Sequence, residues 1–157
     1  MSNERITEDI VRKLLKESKY TFDRGFIVEE QISVDPTIRR LLSKASKYSS
    51  KQPGYPEFII SKMDDNNTVI IIECKANISQ HISKGKTLKP KDYAVDGILH
   101  YASFLNSEYD VIAIAVSGTT KKDLVIDSFL LKKNDSFPVF LCTGNILTYN
   151  EYLNKYN

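Results

Sequence analysis

The chain is predicted to be α/β, a central mixed β-sheet flanked by helices. Three observations lead there. Two apolar, strand-like runs, 54–60 and 69–75, are split by a polar turn. A helix-spaced segment then leads into a third apolar run at 110–117, an order that sets two strands parallel across a crossover. Finally, 157 residues at 41% hydrophobic and 27% charged suit one domain, 1–157, with a core of its own.

The elements follow in order. Ile6, Ile10, Val11, Leu14 and Leu15 recur at helical spacing, with Asn3 or Thr7 as a cap, so a first helix ends before Tyr20. The loose alternation over 26–34 reads as a strand. Asp35-Pro36 opens a short helix through Ile38, Leu41 and Leu42. Ser43 to Gln52 is rich in Ser and Lys and reads as a mobile connection. Strands are expected at 56–62 and 68–75, joined by a hairpin turn at Asp64-Asp65-Asn66-Asn67. A long polar loop, 77–91, precedes a helix from Tyr93 that Asn106-Ser107 closes. After the strand at 110–117, Ser117-Gly118-Thr119-Thr120 is a strand-ending turn, since it lacks the Gly-Lys-Ser/Thr of a P-loop. Further strands are placed at 124–132 and 139–142. A terminal helix over 150–156 packs through Tyr149, Tyr152, Leu153 and Tyr156.

Within this frame three charges sit where charge is costly. Val69-Ile70-Ile71-Ile72 is a run suited to a strand buried on both faces, and it ends in Glu73-Cys74-Lys75. Residues i and i+2 of a strand share a face, so Glu73 and Lys75 project side by side. A structural ion pair at a sheet end is one explanation. Glu57, at the start of the preceding strand, adds a second carboxylate. Two carboxylates and an ammonium converging on a sheet edge make a metal site with a cationic assistant.

An acid after Pro56, a hairpin-sized gap and then Glu73-Cys74-Lys75 resembles the signature of the PD-(D/E)XK nuclease superfamily, with Glu57 in place of the usual Asp. The helix that begins at Tyr93 resembles the one that follows the acid-x-Lys strand in the nuclease domains of type I and type IIG restriction enzymes. Those domains often carry Gln-x-x-x-Tyr there; this chain has Gly97 and Tyr101. The resemblance spans roughly 54–117. It implies a restriction-endonuclease-like core and a Mg²⁺-dependent DNA endonuclease, with Mn²⁺ able to substitute. It also implies that Glu57, Glu73 and the carbonyl of Cys74 ligate the metal, and that Lys75 orients or activates the attacking water. An acid from the first helix often completes such sites; Glu8 is the candidate, with Glu4 and Asp9 competing, although helix phase puts Glu8 off the Ile6–Ile10–Leu14 stripe. Tyr101 is expected in the core or bonded behind the site. The implied setting is the N-terminal part of a larger restriction–modification polypeptide, acting on double-stranded DNA alongside methyltransferase and target-recognition regions, with dimerisation for double-strand cleavage. No methyltransferase or helicase motif is found in the 157 residues.

Net charge is only +2, so any nucleic-acid surface must be local. One basic stretch holds Arg39, Arg40, Lys44, Lys47 and Lys51; another, just past Lys75, holds Lys84, Lys86, Lys89 and Lys91 without an acid. The second is placed to meet DNA phosphates, raising affinity without reading sequence. His81 is expected to be exposed in the polar loop, and His100 packed on its helix. Cys74 and Cys142 read as reduced core residues of a cytoplasmic protein, without a signal peptide or membrane span. Two other readings remain: a noncatalytic binding or scaffolding domain that kept the nuclease fold, and a junction resolvase or repair nuclease built on it.

Overall fold

The computed structural model describes residues 3–45 and 54–156. Four helices, α1 (Asn3–Glu17), α2 (Pro36–Leu42), α3 (Ala94–Leu105) and α4 (Tyr149–Asn154), surround a six-stranded sheet. The strands, in spatial as in chain order, are β1 (Phe26–Glu30), β2 (Phe58–Lys62), β3 (Asp65–Lys75), β4 (Asp110–Ser117), β5 (Val125–Leu131) and β6 (Val139–Thr143). β3 and β4 pair parallel across the α3 crossover, from Thr68↔Asp110 to Lys75↔Ser117; the other neighbours pair antiparallel. The expected α/β fold with a mixed sheet is therefore present. Lys47, Lys51 and most of the Ser/Lys-rich connection lie outside the described residues.

The central strands are buried on both faces, which is why they read as unbroken apolar runs. One face, with Phe58, Ile60, Ile70, Ile72, Ile112, Ile114 and Val116, packs on Val11 and Leu15 of α1 and on Tyr149 and Tyr152 near the C-terminus. The other, with Ile59, Val69, Ile71, Val111, Ala113 and Ala115, packs on α2 and α3. Alanines on β4 let Ile98, Tyr101 and Leu105 of α3 come close to the sheet.

Local chemistry sets the ends. Asp35 caps α2 by accepting from the N–H groups of Thr37 and Ile38, with Pro36 at the first helical position. Thr148 and Glu151 form a capping box on α4. Tyr152, fully buried, shares a 2.8 Å hydrogen bond with Ser128 Oγ. Gly118 ends β4 at φ 120°, the strand-ending turn the sequence predicts.

Several boundaries differ from expectation. β1 stops at Glu30 because Gln31 turns into the left-handed region at φ 67°. The hairpin turn is Met63-Asp64, not the four-residue Asp/Asn cluster; Asp65 already pairs with Lys62, at a register shift. Asp65 leaves the turn to accept from Tyr149 Oη. On α1 the buried stripe is Thr7–Val11–Leu15, and Ile6 is exposed. Thr7 belongs to it because its hydroxyl donates to the carbonyl of Gly118 at 2.5 Å, docking the helix on the end of β4.

Candidate active site

The phase of α1 decides where its acids go. With Thr7, Val11 and Leu15 inward, Glu8 flanks the buried stripe, and its side chain is only 15% exposed. Arg12 holds that rotation. Its guanidinium grips Glu30 of β1 through two bonds, Nε–Oε2 at 2.9 Å and Nη2–Oε1 at 2.5 Å, and lies over the Phe58 ring. It also reaches Asp9 at 2.5 Å and Glu8 at 3.9 Å. Asp9 is thus occupied on the outer surface, while Glu8, with Glu4 one turn before it, lies close enough to Glu57 to act on its carboxyl.

Glu57 precedes β2, and its N–H donates to the carbonyl of Ile72 at 2.9 Å, which fixes it beside Glu73. Glu73 itself is 1% exposed. The Glu57 carboxyl feels both of the other two. Burial, then repulsion from Glu73 and from Glu8, pushes Glu57 up to about 8; Gln31 Nε2, 3.4 Å from its carboxylate, opposes this. Burial also raises Glu8, offset by Arg12 and by a hydrogen bond with Glu57. Burial and the same acids raise the Cys74 thiol, so only its backbone carbonyl suits a hard cation.

Lys75 lies on the same sheet face as Glu73, as the alternation requires. Lys75 Nζ donates to the carbonyl of Lys91 at 3.0 Å. Gly97 explains its own presence: a Cβ there would stand 2.8 Å from the carbonyl of Pro90 and 3.0 Å from Glu73 Oε2. Any larger residue, Gln included, would push into the Glu73 carboxylate. One turn on, Tyr101 is 1% exposed, and a Cβ on Gly54 would be 2.6 Å from its hydroxyl. Tyr101 thus braces the segment that leads to Glu57. His100 is packed edge-on against Phe104, as expected.

Lys84, Lys86, Lys89 and Lys91 are all exposed. Their loop, the long polar one the sequence predicts, is tied down from within. Asp96, 1% exposed in the first turn of α3, accepts from Ser83 N–H at 3.2 Å, Ser83 Oγ–H at 2.5 Å and Lys89 N–H at 2.7 Å. His81 is a correction: it is 5% exposed, not solvated. Its ring bonds Ser117 Oγ through Nδ1 and Asp127 Oδ2 through Nε2, both at 2.7 Å. The Ser–His–Asp order invites a nucleophile reading, but Ser117 is 0% exposed, so the trio is a fastening. Sequence reasoning missed Arg12, Asp96 and His81. Only Arg12 left a signal, its i+4 spacing from Glu8.

Among the described residues no three His, Cys, Asp or Glu side chains are grouped to hold a metal by themselves. Mg²⁺ asks for less, one or two carboxylates completed by water and substrate oxygens. Glu57 and Glu73, with a backbone carbonyl between Glu73 and Lys75, are donors of that kind. Their mutual repulsion, visible in the raised Glu57, is what a bound cation relieves. Among the described residues no helix is long and apolar enough to cross a membrane. Comparison of the chain with protein-family models, with curated proteins and with solved structures returned no match in any of the three.

Proposed function

We propose that this domain is a metal-dependent DNA endonuclease serving a restriction–modification system. One observation supports the reading: the half-buried Glu57 carboxyl, set beside Glu73 by the β2–β3 pairing, is repelled by both Glu73 and Glu8, and Lys75 shares the face of Glu73. Gathering like charges in a half-buried place costs stability, so it calls for a function. Bound Mg²⁺ would supply an acidified water and neutralise charge on the phosphate. Glu57 and Glu73 would hold the ion, with Glu8 steering the water shell from α1. Lys75, released from the Lys91 carbonyl, would orient the attacking water and lend its charge to the pentacovalent phosphate. Lys84, Lys86, Lys89 and Lys91 would hold the backbone on either side.

The test is incubation of the protein with supercoiled plasmid in Mg²⁺ or Mn²⁺, beside Lys75→Ala and Glu73→Gln. Cleavage by the wild type alone supports the proposal. Glu73→Gln should lose metal binding by calorimetry and keep its fold, since it removes charge and keeps shape. Branched DNA cut in preference to linear duplex would instead mark a resolvase. The engagement of Lys75 by Lys91 favours one further reading, a noncatalytic domain of the same fold. Absence of both metal binding and cleavage in the wild type would establish it.

A further inference from the structure

Asp96 is a buried acid with no place in the proposed chemistry. Its carboxylate ties Ser83 to Lys89, two points on the loop that leaves the candidate active strand. The closed segment between them presents Lys84 and Lys86 to solvent, and Lys89 and Lys91 follow at its exit. Both ends of this loop are fixed to the site. At the entry, His81 is bonded to Ser117 and Asp127, and its carbonyl accepts from Val95 N–H at 2.8 Å. At the exit, the carbonyl of Lys91 holds Lys75 Nζ, and that of Pro90 packs on Gly97, the neighbour of Asp96 and of the Glu73 carboxylate.

A loop that served only solubility would not spend a buried carboxylate on its backbone. We propose that Asp96 is the positioning residue of a phosphate-binding loop, setting the lysine array at a fixed place over Glu57, Glu73 and Lys75 so that a DNA backbone held by the loop is presented to the site. This rests on the nuclease reading and adds to it the residue that aligns substrate with the chemistry. The ligand is a run of consecutive phosphates, and Asp96 acts on it through the loop without touching it.

The probe is a fluorescent 20-base-pair duplex in Mg²⁺-free buffer, titrated at several salt concentrations. Each lost lysine–phosphate contact lowers the slope of log affinity against log salt by about 0.9. Asp96→Asn keeps shape and removes the charge that holds the loop. It should flatten the slope by about 2 and weaken binding roughly a hundredfold at low salt, the effect of losing about two contacts. In a background with Lys84, Lys86, Lys89 and Lys91 all changed to Ala, Asp96→Asn should add nothing, because the two act as one unit. Ile98→Val, a core change in the same helix, controls for general destabilisation and should leave the slope alone. Ser83→Ala removes one bond of the three and should give a smaller flattening, which keeps the test open if Asp96→Asn does not fold. Calorimetric Mn²⁺ binding should stay at the wild-type value in Asp96→Asn. A wild-type slope in folded Asp96 and Ser83 variants, or full additivity with the lysine changes, overturns the positioning role and leaves the nuclease reading intact. A wild type without salt-dependent duplex binding overturns both.

Discussion

Glu57→Gln should make the metal-free protein more stable at alkaline pH, and the pH profile follows from the geometry. The folded chain holds the Glu57 proton up to about 8 against an ordinary 4.5, through burial and the nearness of Glu73 and Glu8. Between those two values the unfolded chain has released a proton that the folded chain still binds. Stability therefore falls as pH rises through this window, by at most about 1.4 kcal/mol per pH unit for one proton. Below 4.5 the penalty is absent, and above 8 it is complete. The carboxyl retains some access to water, which screens the repulsion and reduces the loss to about 2 kcal/mol between pH 5.5 and 8.5. The amide introduced by the substitution still accepts from Gln31 and carries no charge, so the variant's profile should be flatter by that amount. Urea unfolding in EDTA at pH 5.5, 7 and 8.5 measures the difference. Parallel profiles for the two proteins would refute the convergence of the carboxyls. Added Mg²⁺ should flatten the wild-type profile and leave the variant unchanged, because the cation replaces the proton.

Other outcomes are equally specific. Lys75→Met should retain Mn²⁺ binding by calorimetry and lose cleavage by at least about a hundredfold, the scale of one positioned proton-transfer or charge-stabilising group. Gly97→Ala should cost about 1–3 kcal/mol in urea unfolding and weaken metal binding, since its Cβ forces Pro90 and the Glu73 carboxylate to shift. Tyr152→Phe leaves Ser128 Oγ buried without its partner and should lower stability by about 1 kcal/mol, with no effect on metal affinity.

The sheet was legible in the sequence because its central strands are buried on both faces, and nothing but a hydrophobic run satisfies that. Asp110–Ser117 matches its predicted limits for this reason. The hairpin turn was misjudged where a tertiary bond took over, since Asp65 accepts from Tyr149, more than eighty positions away. Among the site residues, Glu57, Glu73 and Lys75 stood out as charges at the ends of apolar runs. Glu8 did not, because the apolar stripe Ile6–Ile10–Leu14 is not the buried one. Thr7 turns inward to reach Gly118, and no propensity rule foretells that. His81 and Asp96 escaped for a related reason: each is polar within a polar stretch, and only the folded chain shows the groups they bond.

The parallel pairing of β3 with β4 has a consequence for the order of events in folding. Such a pair closes only after the whole crossover between them has been made, so the entropic cost of a long loop precedes the gain of contact. Glu57 meets Glu73 in the local β2–β3 hairpin, whereas Glu8 arrives from a segment more distant still, since α1 docks on Gly118 past the end of β4. Glu8 therefore joins the two hairpin carboxylates late, once β4 is in place. A partly folded chain lacks the α1 acid, and whatever the complete site does begins with the finished fold.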